Sequence, residues 1–282
     1  MIVKVHVASA FSKNNTGGNK AGVVFVKEPL TIQNKKEIAK ELGYAETAFV
    51  MSSERADYKI EYFTPKEEVD LCGHATIATF SVLMHLERLT KSEYMIETKS
   101  GVLNIEINDE MIFMEQTAPI FYEVLSKEEL KKCFEIGAVN NDYQVQIVST
   151  GLKDILIPIK SEQLLNELEP NFEKIKELSA EYQVIGTHLY AIEGERIVCR
   201  NFAPLYDINE EAATGTSNGA LACYLFEKHS IHKELYVFEQ GASLKSLSEI
   251  LVKLKQNDQQ KISHVYVGGR GYYCEEKTLE LK

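Results

Sequence analysis

The feature that most constrains this chain is that it repeats itself. Tyr62-Phe63-Thr64-Pro65, then acids, then Gly73-His74-Ala75-Thr76-Ile77-Ala78 is echoed about 140 residues later by Asn201-Phe202-Ala203-Pro204, then acids, then Gly215-Thr216-Ser217-Asn218-Gly219-Ala220. Ser100-Gly101-Val102-Leu103 likewise matches Gln240-Gly241-Ala242-Ser243. Upstream, Lys35 to Leu42 followed by Thr47-Ala48-Phe49-Val50 parallels Phe172 to Ser179 followed by Thr187-His188-Leu189-Tyr190. Four landmarks keep one order and roughly one spacing. At 282 residues the chain is near the size where one core stops growing and splits. Two similar domains are therefore expected, with the division placed at 118/119 and the second running to 269.

Each half reads as strands, a helix, two strands ending at an aromatic-Pro turn, a more apolar helix, and further strands. Tyr58 to Phe63 and Val102 to Ile107 alternate apolar with polar residues, as half-buried strands do, and Ile197 to Phe202 does so less cleanly. The helices from Gly73 and Gly215 are apolar on most sides and belong in a core. The fold class is α+β: two pseudo-symmetric domains, each a curved, mostly antiparallel sheet around a central helix, expected to face each other across a cleft.

Charge excludes several partners. Lys and Arg total 31 against 42 Asp and Glu, a net charge of −11, and the basic residues are interleaved with acids. A phosphate backbone needs clustered cations, so neither nucleic acid nor an anionic membrane is expected. The longest apolar run, Ala75 to Met84, is interrupted by Thr76, Thr79 and Ser81 and is too short to span a bilayer. Met1 to Val7 alternates like a strand and lacks the pattern of a signal peptide. Five cysteines at wide spacing, without a C-x-x-C pair, fit reduced thiols in the cytoplasm. Gly268-Gly269-Arg270-Gly271 reads as a hairpin turn rather than a phosphate loop. No cofactor is expected.

A helix that starts at glycine with small or hydroxyl residues presents unpaired amides and a partial positive charge, which suits a small carboxylate. Gly73 and Gly215 provide two such starts. His74 adjoins the first; Glu210, Glu211, Thr214 and Thr216 surround the second. Glu46, between a helix and an apolar strand, is the third proton-transfer candidate, since a carboxylate buried in a cleft can take and return a proton near neutral pH.

Gly18-Asn19-Lys20-Ala21-Gly22, Gly43-Tyr44-Ala45-Glu46-Thr47-Ala48-Phe49, Asp70-Leu71-Cys72-Gly73-His74-Ala75-Thr76, Glu210 to Gly219, Glu239-Gln240-Gly241 and Val267-Gly268-Gly269-Arg270 resemble the PhzF-like phenazine biosynthesis family. The resemblance spans nearly the whole chain. It implies a diaminopimelate epimerase-like fold, in which the C-terminal strand, here 270–282, rejoins the first domain. It implies a homodimer and a cofactor- and metal-independent isomerase of a small cyclic amino- or hydroxy-carboxylic acid. Carried across by motif, Glu46 is the general acid/base, with His74 and Glu211 as further catalytic residues, and Gly73, His74, Gly215, Thr216 and Asn19 bind substrate. Glu211 stands where the family has aspartate, Thr216 where it has serine, Lys20 where it often has proline, and Lys245 to Ser248 where Gly-Arg-Pro-Ser is usual.

Epimerase relatives use a pair of cysteines. Here Cys72 is matched by Thr214, whose hydroxyl is too weak a base, so one-base chemistry through Glu46 is expected. Two other classes stand beside an isomerase: a binding or regulatory protein using the same cleft without turnover, and a hydrolase using Ser217 or Cys72, for which the sequence lacks a nucleophile elbow.

Overall fold

In a computed structural model, residues 2–281 are described. The chain divides into two compact units. One runs to Glu115 and takes back the chain from Gly268; the other is Gln116–Val267.

The first unit begins with β1 (Ile2–Ala10) antiparallel to β2 (Asn19–Phe25). Helix α1 (Ile32–Leu42) crosses to β3 (Thr47–Met51), parallel to β2, and β4 (Tyr58–Phe63) returns antiparallel. After the short β5 (Glu68–Val69), helix α2 (Gly73–His85) leads to β6 (Glu93–Thr98), parallel to β4, and the meander β7 (Gly101–Asn108) and β8 (Met111–Gln116).

The second unit holds β9 (Ile120–Leu125), α3 (Lys127–Leu130), β10 (Val145–Ser149) and β11 (Lys153–Pro158). Helices α4 (Glu162–Glu167) and α5 (Phe172–Tyr182) cross to β12 (Gly186–Glu193), parallel to β11, and β13 (Arg196–Ala203) returns antiparallel. The short β14 (Ile208–Glu211) precedes α6 (Gly215–His229); β15 (Tyr236–Gln240), parallel to β13, pairs with β16 (Ser248–Gln256). Strand β17 (Ile262–Glu280) closes the chain, and its C-terminal part pairs with β1 from Ala10↔Gly271 to Ile2↔Glu280.

The sequence repeat is a repeat of topology. In each unit a parallel crossover, an antiparallel return, a short strand of two or four residues, a buried helix and a second parallel crossover follow in the same order. The buried helices are the hearts of the two units. Ten residues of α2, from His74 to Leu83, are buried in an unbroken run, and α6 is buried from Ser217 to Phe226. Burying one side chain such as Ile77, Phe80 or Leu83 contributes roughly 1.5–3 kcal/mol, so each helix is a large share of its unit's stability.

The expected hairpin at Gly268 to Gly271 is corrected: these residues lie inside the continuous strand β17. The glycines serve close approach instead of a turn. A Cβ on Gly268 would run into the Ile112 carbonyl oxygen, and one on Gly271 into the Ser81 hydroxyl on α2. Strand β13 also differs from a half-buried pattern, since Ile197 to Ala203 are all buried. It is an interior strand.

Candidate active site

Glycine at the first position of α2 and α6 leaves each helix start uncovered. The preceding residues, Cys72 and Thr214, are the N-caps, and neither gives its helix a side-chain cap hydrogen bond. Thr214 is of a type that usually caps. Here its hydroxyl donates instead to Glu211 Oε2 at 2.6 Å.

In the first unit the structure brings together Glu46, Cys72 and His74. Glu46 sits immediately before β3, in the connection that follows the left-handed Gly43 cap of α1. Its side chain is 16% exposed, and Oε2 lies 3.2 Å from His74 Nε2. Oε2 is buried, and its ion pair is with His74. Cys72 Sγ lies 3.5 Å from His74 Nδ1 and 3.9 Å from Nε2.

Charge follows from this packing. Burial and the neighbouring Glu46 carboxylate push the Cys72 thiol up to about 11, so it keeps its proton at neutral pH. Burial alone would raise Glu46 and lower His74. Contact with His74 and Cys72 outweighs burial and holds Glu46 below the usual carboxylate value; contacts with Cys72 and Glu46 hold His74 well above the usual histidine value. A neutral thiol cannot retain a cation, so the carboxylate is the anion that keeps His74 protonated. One donor atom from each of the three residues lies within 4.8 Å of the others, a set that would suit a thiophilic cation such as zinc.

Asn19 opens β2, half-buried, opposite Ala10. Three residues along the same strand, Gly22 pairs with Thr47, the neighbour of Glu46.

In the second unit Gly215 begins α6, and Thr216 follows, half-buried, its carbonyl accepting from the Thr150 hydroxyl at 3.1 Å. Glu211 ends β14 and is half-buried. Glu210 faces away into a two-pronged ion pair with buried Arg200, at 2.9 Å to each oxygen, and Arg200 also holds the carbonyls of Leu165 and Leu168. It is structural. Ser217 is fully buried and donates to Asp154 at 2.6 Å, a placement that denies it the role of an exposed nucleophile.

Sequence reasoning missed Asp154, His188, Asn201 and Gln240, which surround α6's first turn. Their one signal is a polar residue inside an otherwise apolar strand. A surface hollow of about 380 Å³ lined by Phe226, Glu227, Ser230 and His232 lies at the opposite end of α6. None of the helix-start residues reaches it.

A duplicated α+β unit with a buried helix whose glycine start faces acid/base side chains defines the epimerase-type class of isomerase folds. Comparison with known proteins agrees. The chain belongs to the PhzC-PhzF family of phenazine biosynthesis-like proteins, whose model matches residues 8–277. It is 35% identical to an uncharacterized isomerase of Clostridium acetobutylicum, over 82% of this chain and 80% of that protein. The crystal structure of a Bacillus anthracis phenazine biosynthesis protein of the PhzF family superposes with a TM-score of 0.91 at 28% identity, covering 100% of both chains. A hydroxyproline epimerase of Agrobacterium vitis shares the fold alone, with a TM-score of 0.66 at 11% identity over 99% of this chain and 93% of that one. Among the described residues no helix is long and apolar enough to cross a membrane.

Proposed function

We propose that the protein is a cofactor-independent isomerase that moves a proton between carbons of a small cyclic amino- or hydroxy-carboxylic acid, with Glu46 as the general acid/base. One observation carries this reading: a largely buried carboxylate, Glu46, paired at 3.2 Å with His74 at an uncapped helix start. A carboxylate held ionised in such a site can take a proton from a substrate placed against it and return it.

In the first step Glu46 Oε2 takes a proton from a carbon whose C–H bond is acidified by conjugation. The electron pair moves into the substrate's unsaturated system. The amides at the start of α2 and the His74 cation stabilise the negative charge that develops. In the second step the Glu46 carboxylic acid returns the proton to a different carbon, so no electrons are gained or lost overall. Gly73 and His74 hold the substrate carboxylate. Gly215, Thr216 and Asn19 are assigned to the same substrate, with Glu211 assisting the second transfer, on the strength of the repeat and of family membership.

The relatives' name of isomerase supports the reaction class. The test is incubation of pooled small carboxylic acids, dihydro-hydroxyanthranilate among them, in heavy water with wild type and Glu46→Gln, read by mass spectrometry. Deuterium should enter one compound with wild type only. Equal incorporation with the Gln variant would remove Glu46 from the mechanism, and binding without any exchange would make the cleft a carboxylate receptor.

A further inference from the structure

Behind the first turn of α6, a chain of buried side chains has a hydrogen-bond direction that the backbone fixes. Gln240 Oε1 accepts from the Thr214 amide at 3.3 Å while its Nε2 donates to the Glu211 carbonyl at 2.8 Å, so its orientation is set at both ends. Gln240 Nε2 also donates to Thr214 Oγ1, which passes its own proton to Glu211 Oε2. Asn218 Nδ2 donates to the Thr214 carbonyl and to Gln240 Oε1, both at 2.9 Å, which turns Asn218 Oδ1 toward His188.

His188 Nε2, 3.3 Å from that oxygen, must therefore carry the ring proton. His188 Nδ1 is then an acceptor, and Asn201 Nδ2 serves it at 3.3 Å and Ser217 Oγ at 3.2 Å. The Ser217 hydroxyl has one direction left, onto Asp154 Oδ2 at 2.6 Å. Two buried atoms end this chain without partners: Asn201 Oδ1 and Asp154 Oδ1. An ionised Asp154 would leave a charged oxygen buried and without a donor, and a proton on Oδ1 removes that charge.

We infer that Asp154 is a neutral carboxylic acid in the folded protein and a positioning residue: through Ser217 it anchors the one-way chain that holds Thr214 and Glu211 at the start of α6. The protonation rests on the burial of Asp154, its hydrogen bond from Ser217 and its unpartnered Oδ1. The positioning role rests on the proposed reading that this helix start meets substrate.

The surroundings agree. Burial pushes Asp154 up to about 8, outweighing the Ser217 hydrogen bond, with the Glu211 charge adding to the rise and the Gly186 amide and Asn201 opposing it. Burial pushes His188 down to about 4, so it offers no cation. Strand β10 places Val148 opposite Asp154, β12 places Gly186, and Lys153 alongside it on β11 lies over the Tyr122 ring at 4.4 Å. Neither Val148 nor Gly186 carries a side-chain charge, and the Lys153 ammonium is engaged with the Tyr122 ring.

Asp154→Asn tests this, because the amide reproduces the neutral acid: its oxygen accepts from Ser217 and its NH₂ stands in the place of the acid's O–H. An acid whose folded pKa is raised loses stability as pH climbs from its ordinary value toward the raised one, then levels off. Wild type should therefore lose melting temperature relative to Asp154→Asn from about pH 4 to about 8, with no further divergence above that. Infrared difference spectra of wild type against Asp154→Asn should show a protonated-carboxyl C=O band at pH 6.5 that titrates away near pH 8. Amide exchange at Thr214 to Asn218 should quicken at least tenfold in Asp154→Ala and return to wild type in Asp154→Asn.

A missing band with a pH-independent melting difference would overturn the protonation. A band present with α6 exchange unmoved in Asp154→Ala would overturn the positioning role. Absence of deuterium incorporation into any carboxylate would count against the isomerase reading and leave the infrared result standing.

Discussion

The starts of α2 and α6 are the same piece of architecture filled with different chemistry. Cys72 and Thr214 are equivalent caps, Gly73 and Gly215 equivalent first residues, and the strands before them pair alike, Thr47 with Phe63 and Thr187 with Phe202. That register sets Gly186 in the place of Glu46. A Cβ on Gly186 would strike the Phe202 carbonyl, so the second unit cannot carry a base at this position. It carries a hydrogen-bond chain that ends on Glu211 instead, where the first unit carries an ion pair. Duplication supplied two helix starts; steric exclusion at one residue keeps a base out of the equivalent position in the second.

The largest predicted effect breaks this asymmetry directly. Glu46→Gln should lower turnover by about 10²–10⁴, the usual worth of a positioned general base, while ligand binding survives. Glu211→Gln should cost about tenfold, since it removes an assisting charge and keeps an acceptor for the Thr214 hydroxyl. Single-turnover exchange in heavy water measures both. Equal losses would mean that the two helix starts share the base role.

The pH profile sharpens the same contrast. Glu46 is held below its ordinary value of 4.5, so its contribution to stability is present above that pH and is lost as pH falls through the depressed value. His74 is held above 6.5, so its contribution is present below that pH and is lost as pH rises through the raised value. Activity that needs anionic Glu46 and cationic His74 should therefore be level at least from pH 4.5 to 6.5. A rise in kcat/KM across that interval would show that the pair is not charged as described.

Much of the first site was legible because its parts are close in sequence. Cys72, Gly73 and His74 are consecutive, and Glu46 sits at a helix-to-strand boundary, so a motif carries the chemistry. The Asp154 chain was not legible. It draws its members from β11, β12, β13, α6 and β15, and each is a lone polar residue whose role depends on the direction of its neighbour's hydrogen bonds. The glycines of β17 were misread because glycine permits a turn and permits close packing alike, and only the partner at the Cβ position separates the two. Gly268→Ala should accordingly destabilise by about 1–3 kcal/mol in urea unfolding, as overpacking does. A change near zero would mean that β8 yields freely.

A thiol that keeps its proton to about 11 is a poor base, so Cys72→Ser should stay within about tenfold of wild-type turnover where a two-thiol racemase would lose nearly everything. Exchange kinetics at pH 7 and inertness to thiol-alkylating reagents read the same point. Loss comparable to Glu46→Gln would bring the cysteine into the proton path.

The smallest effect concerns the crossover helices, which carry no chemistry and so report on the scaffold alone. Both α1 and α5 end on a left-handed residue, Gly43 at φ 70° and Gln183 at φ 53°. The second pays a steric cost that the first avoids, because a Cβ crowds the following carbonyl in that conformation. Glycine there also gains freedom in the unfolded chain, which offsets part of the relief. Gln183→Gly should therefore stabilise by about 0.5 kcal/mol, and Gly43→Ala, with open space around its Cβ but the wrong φ, should destabilise by about 1 kcal/mol. Opposite signs at equivalent positions in thermal unfolding would show that the two units remain interchangeable in backbone even where their active groups have diverged; the same sign would place the difference in packing around Gln183.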